Sequence, residues 1–132
     1  MHDRSIPSND KLTERIIRAA IEVHRNLGPG LLESTYSEGL SWELQQAGLA
    51  FARQLQIPVM YKGQKLPGVY RIDFVIEERV VVEIKAVEKL APVHEAQLLT
   101  YLSHTGISIG LLLNFNAATL KDGLRRMGLK RL

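Results

Sequence analysis

The segment from Arg71 to Lys85 limits what this chain can fold into more than any other part of it. It holds two runs of alternating character, Arg71-Ile72-Asp73-Phe74-Val75-Ile76 and Val80-Val81-Val82-Glu83-Ile84-Lys85, separated by Glu77-Glu78-Arg79. Successive side chains of a strand point to opposite faces, so Ile72, Phe74 and Ile76 share one face, as do Val80, Val82 and Ile84. A hairpin must bury both sets together, because a one-residue slip would turn one of them outward. A turn centred on Glu78 meets that demand. It sets Phe74 opposite Val82 and Asp73 opposite Glu83, which brings two carboxylates to within ~4.5–5.5 Å at Cβ. Lys85 follows two residues along, with Arg71 opposite it.

Like charges placed directly opposite destabilise a sheet, so something should offset them. One candidate is a divalent cation and the other is the pair Lys85 and Arg71. The chain has no cysteine and no histidine pair at ligand spacing. Carboxylate oxygens alone favour Mg²⁺ or Mn²⁺ over zinc. The same spacing also describes a solvated ladder of cross-strand ion pairs, each worth only ~0–1 kcal/mol.

Around this hairpin the pattern reads as helix, helix, three strands, helix, strand, helix. Leu12, Ile16, Ala19, Ala20, Val23 and Leu27 recur at helical spacing, with Asn9 or Asp10 as cap and Gly28 at the C-terminal stop. After Gly28-Pro29-Gly30, a second helix carries Leu32, Tyr36, Leu40 and Leu44 on one face and stops near Gly48. Leu55, Ile57, Val59 and Tyr61 alternate as a strand ending at Lys62-Gly63. Tyr70–Ile76 and Val80–Lys85 are the next two strands. Pro92 opens a helix to about Ser103. The continuous apolar run Ile107–Leu113 reads as a strand buried on both faces. A short basic helix is expected to close the chain. This order predicts an α/β domain, a mixed central sheet with flanking helices, over residues 9–132, after a flexible N-terminus at 1–8.

Length and charge narrow the function. A chain of 132 residues has room for one compact domain. The absence of cysteine excludes disulfide frameworks, thiol nucleophiles and Cys-ligated metals. No signal pattern opens the chain, and no apolar run approaches the ~20 residues of a membrane span, so a cytoplasmic location is expected, with no membrane partner. From Leu120 onward the charge is +4, from Lys121, Arg125, Arg126, Lys130 and Arg131 against Asp122, in a chain whose total is +3. The basic excess therefore sits in one segment. It suits either a phosphate backbone or the C-terminal end of a helix dipole.

Two motifs carry a family resemblance. Asp73 followed by Glu83-Ile84-Lys85 resembles the D…(D/E)-x-K motif of the PD-(D/E)XK nucleases. Gly30-Leu31-Leu32-Glu33-Ser34-Thr35-Tyr36 resembles the signature of the GxxExxY protein family, a branch of that superfamily. The resemblance runs from about Leu12 to Phe115, and the αβββαβ restriction-endonuclease-like core matches the element order above. It implies a nuclease dependent on Mg²⁺ or Mn²⁺ that hydrolyses phosphodiester bonds in DNA or RNA. Asp73, Glu83, the main-chain carbonyl of Ile84 and Glu33 would hold the metal. Lys85 would position the attacking water, and Gln97 and Tyr101, at i and i+4 of one helix, would orient the site or touch substrate. Ile72 stands where the superfamily's name has proline.

Three readings of different classes follow. The first is a metal-dependent nuclease acting on nucleic acid, DNA in the first instance, with Arg125 and Arg126 as further substrate contacts. The second is an inactive nucleic-acid-binding or assembly module on the same fold, using the basic segment. The third is a protein-interaction domain. A homodimer would suit two sites on two strands. Tyr36 is expected in the core with its hydroxyl at a wet edge, Trp42 in the core or at a dimer surface, and His94 near Gln97.

Overall fold

A computed structural model describes residues 10–129. The expected loose end at 1–8, Lys130 and Arg131 lie outside the described residues. In chain order the elements are α1 (Lys11–Leu27), α2 (Glu33–Gln46), β1 (Phe51–Tyr61), β2 (Gln64–Ile76), β3 (Val80–Lys85), α3 (Pro92–Thr105), β4 (Ile109–Asn114), α4 (Leu120–Gly123) and β5 (Leu124–Gly128). The strands form one mixed sheet in the order β1-β2-β3-β4-β5. Only β3 and β4 run parallel, because α3 carries the chain across between them and a parallel pair needs such a crossover.

The sheet is covered on both faces. Ile16, Ala20 and Val23 of α1 and Tyr36, Leu40 and Leu44 of α2 pack on Phe74, Ile76, Val80, Val82, Ile84, Leu111 and Leu113. On the other face, Leu98, Tyr101 and Leu102 of α3 pack on Ile72, Val75, Val81, Leu112 and Met127. Asp10 caps α1, its Oδ1 accepting from Thr13 N at 2.9 Å. Gly106 ends α3 in the left-handed conformation (φ 75°) that favours glycine.

The hairpin register is the expected one: Phe74 opposes Val82, Val75 opposes Val81, and Ile76 opposes Val80. Its turn has Glu77 and Glu78 at φ 52° and 54°, with Arg79 N donating to Ile76 O at 3.0 Å. These are the central positions of a type I′ turn, which suits the strand twist.

The structure corrects the expected facing of Ile72. Phe74 and Ile76 belong to the α1–α2 face, whereas Ile72 belongs to the α3 face. The alternation changes phase at Asp73. Across from it in β1, Gln54 has a positive φ of 52°. The pairing runs Arg53↔Phe74 and then Leu55↔Ile72, passing over Gln54 and Asp73. A left-handed residue inside a strand turns the chain over, as in a bulge. Phe51 accordingly lies with the α1–α2 core, and Leu55 and Ile57 with the α3 core.

Further corrections follow from the same sheet. β2 is longer than Tyr70–Ile76, and its ladder with β3 ends at Phe74. Arg71 therefore pairs with Gln56 of β1 and does not stand opposite Lys85. The basic closing helix is replaced by the four-residue α4 and by β5. β4 is buried along almost its whole length, so its free edge needs hydrogen-bond partners as well as covered faces, and β5 supplies them. Leu32 is exposed because the buried stripe of α2 begins only at Tyr36, and Trp42 lies beside that stripe of Tyr36, Ser37, Leu40, Ser41 and Leu44, on the surface and outside the core.

Candidate active site

The phase change at Asp73 leaves a gap between β2 and β3, and two acids fill it. Where the ladder stops, the backbone N–H groups of Asp73 and Ile84 lack carbonyl partners, and buried N–H groups must find acceptors. Glu83 Oε2 accepts from Asp73 N at 2.8 Å, and Asp73 Oδ2 accepts from Ile84 N at 2.8 Å. Each carboxylate is thus held by the opposite strand.

Burial sets the electrostatics. Glu83 is almost fully buried; loss of solvent, and then the neighbouring Asp73 charge, push its pKa up to about 8. Asp73 is also raised, first by burial, with the Glu33 charge adding to it. The Ile84 N–H, Lys85 and Arg53 pull it partly back. Tyr101, buried on α3, is pushed up to about 12 by burial and then by Glu83 and Asp73. These mutual influences place Glu33, Asp73, Glu83, Lys85 and Tyr101 in one electrostatic neighbourhood. Lys85 Nζ donates to Gln97 Oε1 at 3.3 Å, and Gln97 lies one turn before Tyr101 on α3.

Glu33 is the exposed first residue of α2. The preceding turn presents it there. Tyr36 Oη donates to Gly28 O at 2.6 Å and accepts from Leu31 N at 3.0 Å. Its ring stacks on Phe115 at 4.7 Å between centroids. Gly30 has φ 95°, which a side chain would strain, and its N–H donates to Asn116 Oδ1 at 3.0 Å. In this chain the outer glycine and tyrosine of the Gly30–Tyr36 motif therefore shape the turn from which Glu33 projects. A cavity of about 420 Å³ lies beside it, lined by Glu33, Ser34, Ser37, Glu38, Arg53, Gln54, Asp73 and Ile84.

Arg53, Gln54 and Asn114 were not singled out from the sequence. Arg53 donates to Ser37 Oγ and Glu38 Oε2, each at 2.8 Å, and lies over the Phe74 ring at 5.5 Å. It is a cation whose charge, like that of Lys85, offsets Asp73, the part expected of Arg71 opposite Lys85. Asn114 closes β4 and ties down the loop after Lys85, bonding Val87 N at 3.0 Å and Val87 O at 2.9 Å. A buried asparagine ending an apolar run was the available signal for it. His94 does not line this cavity. Its Nδ1 accepts from Ala91 N at 2.9 Å and so caps α3.

Arg125 and Arg126 lie apart, on the edge strand β5, with β4 between them and β3. Arg125 Nη1 donates to Leu124 O at 3.0 Å and Asp122 O at 3.3 Å. Arg126 lines a different cavity of about 430 Å³ with Glu14, Arg18 and Lys121.

Among the described residues, no three His, Asp or Glu side chains stand together in a geometry that could hold a metal ion. The donors that are present fit a hard divalent cation in chemistry. They are carboxylate oxygens whose proton affinity, raised by burial first and by neighbouring negative charge second, a cation would lower.

A mixed sheet between helices, with an acid pair and a lysine on its central strands, defines a restriction-endonuclease-like α/β protein. Compared with known families, residues 10–127 match the PD-(D/E)XK nuclease superfamily. The chain belongs to that superfamily, whose nucleases act on nucleic acid and generally depend on divalent metals. No match was found among curated proteins or among solved structures. No helix among the described residues is long and apolar enough to cross a membrane.

Proposed function

We propose that this chain is a divalent-metal-dependent nuclease of the GxxExxY group that hydrolyses phosphodiester bonds in DNA, working as one domain over residues 9–132. The observation that carries the reading is the interlock of Asp73 and Glu83 across β2 and β3, with Lys85 and Gln97 beside it and Glu33 at the adjoining cavity. Asp73, Glu83, the carbonyl of Ile84 and Glu33 would hold Mg²⁺ or Mn²⁺. When bound, such an ion supplies Lewis acidity and an acidified water at neutral pH.

The chain's own groups do the rest. Asp73 and Glu83 each have one oxygen tied to the opposite strand, Oδ2 by Ile84 N and Oε2 by Asp73 N, which leaves Oδ1 and Oε1 for a cation. Lys85, steered by Gln97, holds a positive charge where a phosphate would gain negative charge, and orients the incoming water. Tyr101 keeps its proton and can donate a hydrogen bond. Arg53 offers a cation on the cavity side. Arg125 and Arg126 would reach only phosphates flanking the scissile one.

The test is cleavage of single- and double-stranded DNA and RNA with Mg²⁺ or Mn²⁺. Asp73→Asn and Lys85→Ala should each lower the rate by about 10²-fold or more while circular dichroism stays native. Asparagine is chosen because its amide oxygen can still accept the Ile84 N–H. Undiminished cutting by both variants would overturn the reading. Salt-dependent binding without turnover would favour the inactive module.

A further inference from the structure

We infer that the β1–β2 hairpin beyond Gln54 and Asp73 is a grip for duplex DNA, an inference that rests on the nuclease reading and gives its substrate a class. From Leu44 to Ile72 the sequence contains no acid, and beyond Arg53, which pairs with Glu38, it carries Lys62, Lys65 and Arg71. In a chain whose overall charge is only +3, this is a locally strong cationic surface, and it is built into one ribbon. The strands pair from Phe51↔Ile76 out to Tyr61↔Gln64, with one register shift between Pro58 and Met60, so the ribbon reaches from beside the acid pair to the Lys62-Gly63 turn.

The phase change decides which side of the ribbon is open. Leu55, Ile57, Tyr70 and Ile72 go to the α3 core. Their alternates Gln56, Pro58, Met60, Val69 and Arg71 therefore face the other way, towards the side where Glu33, Gln54 and Asp73 line the candidate cavity. These residues are exposed, Met60 to 46% and Val69 to 49%. Tyr61 at the tip is 57% exposed, with Lys62 Nζ 5.4 Å from its ring centroid. Exposed apolar side chains set among Gln56, Arg71 and Lys62 suit a covering partner. The absence of acids and the presence of Lys62, Lys65 and Arg71 favour a polyanion over a protein surface of mixed charge.

A two-stranded antiparallel ribbon fits the major groove of B-DNA. The major groove of A-form RNA is too deep and narrow for side chains to read. Gln56 and Arg71, paired on the open face, are side chains of the types that bond base edges or phosphates there. The ribbon would hold the duplex with one end directed at the acid pair.

Binding is measured by fluorescence anisotropy on the full chain with EDTA present, using a fluorescein-labelled 20-base-pair DNA duplex and the RNA duplex of the same sequence. The variant is Lys62→Gln/Lys65→Gln/Arg71→Gln, with Lys62→Arg/Lys65→Arg/Arg71→Lys as the charge-preserving control. Each lost phosphate contact should flatten the slope of log K against log salt by about 0.9. The neutral variant should lose about tenfold or more in DNA affinity at 0.1 M salt, the control should bind normally, and RNA affinity should change little. DNA affinity and slope unchanged in the neutral variant overturn the grip. So does an equal loss on RNA, or sedimentation showing that the substitutions break a dimer without touching DNA binding. A wild type that binds DNA through the ribbon but never cleaves it in Mg²⁺ sinks the nuclease reading and leaves the grip standing. Cleavage with ribbon-independent binding does the reverse.

Discussion

Removing the charge at Glu83 while keeping its shape should change how stability depends on pH. Glu83 has a pKa of about 8 in the folded chain against 4.5 for an ordinary glutamate. Between those values the folded state holds a proton that the unfolded chain has released. The stabilisation is complete below pH 4.5 and disappears as the pH rises through 8. At 1.36 kcal/mol per unit, integration from pH 5 to pH 8.5 gives a loss of about 4 kcal/mol from this group. Asp73 is raised too, so it adds a loss of the same sign. In Glu83→Gln the amide oxygen can still accept the Asp73 N–H but has nothing to ionise. Urea unfolding in EDTA at pH 5, 7 and 8.5 reads the difference. The wild type should weaken steadily, and the variant, left with the Asp73 loss alone, should weaken less and be the more stable at pH 8.5. Parallel pH profiles for the two proteins would show that burial does not hold the proton, and the electrostatic account of the pair would fall.

Two further substitutions test the scaffold. Tyr36→Phe keeps the stack on Phe115 but strands Gly28 O and Leu31 N. It should cost about 1–2 kcal/mol in urea unfolding and lower cleavage by displacing Glu33. Gly110→Ala would set a Cβ 2.8 Å from Leu98 Cδ1 and 3.0 Å from its Cγ. Forcing α3 off the sheet should cost about 1–3 kcal/mol and should also weaken the Lys85–Gln97 contact, measurable as a lower thermal midpoint with a lower rate.

Much of this architecture was legible because it rests on periodicity. The helices from Lys11 and Pro92, the hairpin register and the buried β4 follow from spacing and caps. What escaped the sequence depended on conformation at single residues or on partners distant in the chain. Gln54 carries no mark of a left-handed φ, so the phase change that moves Ile72 to the α3 face could not be read. Extending the ladder puts Arg71 opposite Lys85, but the ladder stops at Phe74. Leu124–Gly128 looks basic and short, and only the open edge of β4 makes it a strand. The juxtaposition of Asp73 and Glu83 was predictable from the register. Their interlock was not, because it arises from the interruption of that register.

That interruption links the fold to the site. An unbroken β2–β3 ladder would satisfy this edge with carbonyls and ask nothing of the two carboxylates. With the ladder broken, the acids must replace the missing acceptors, and they become buried and mutually repelling in doing so. The same break turns the outer half of the β1–β2 ribbon over, freeing the face that carries Gln56 and Arg71. It also leaves Arg53 on the α2 side, within the influence of Asp73. One left-handed residue, Gln54 at φ 52°, therefore sits beside three separate consequences: the strained acid pair, the cavity and the open ribbon. A left-handed residue inside a strand costs stability, and its place next to groups whose burial and repulsion a cation would offset is what the proposed nuclease reading would account for.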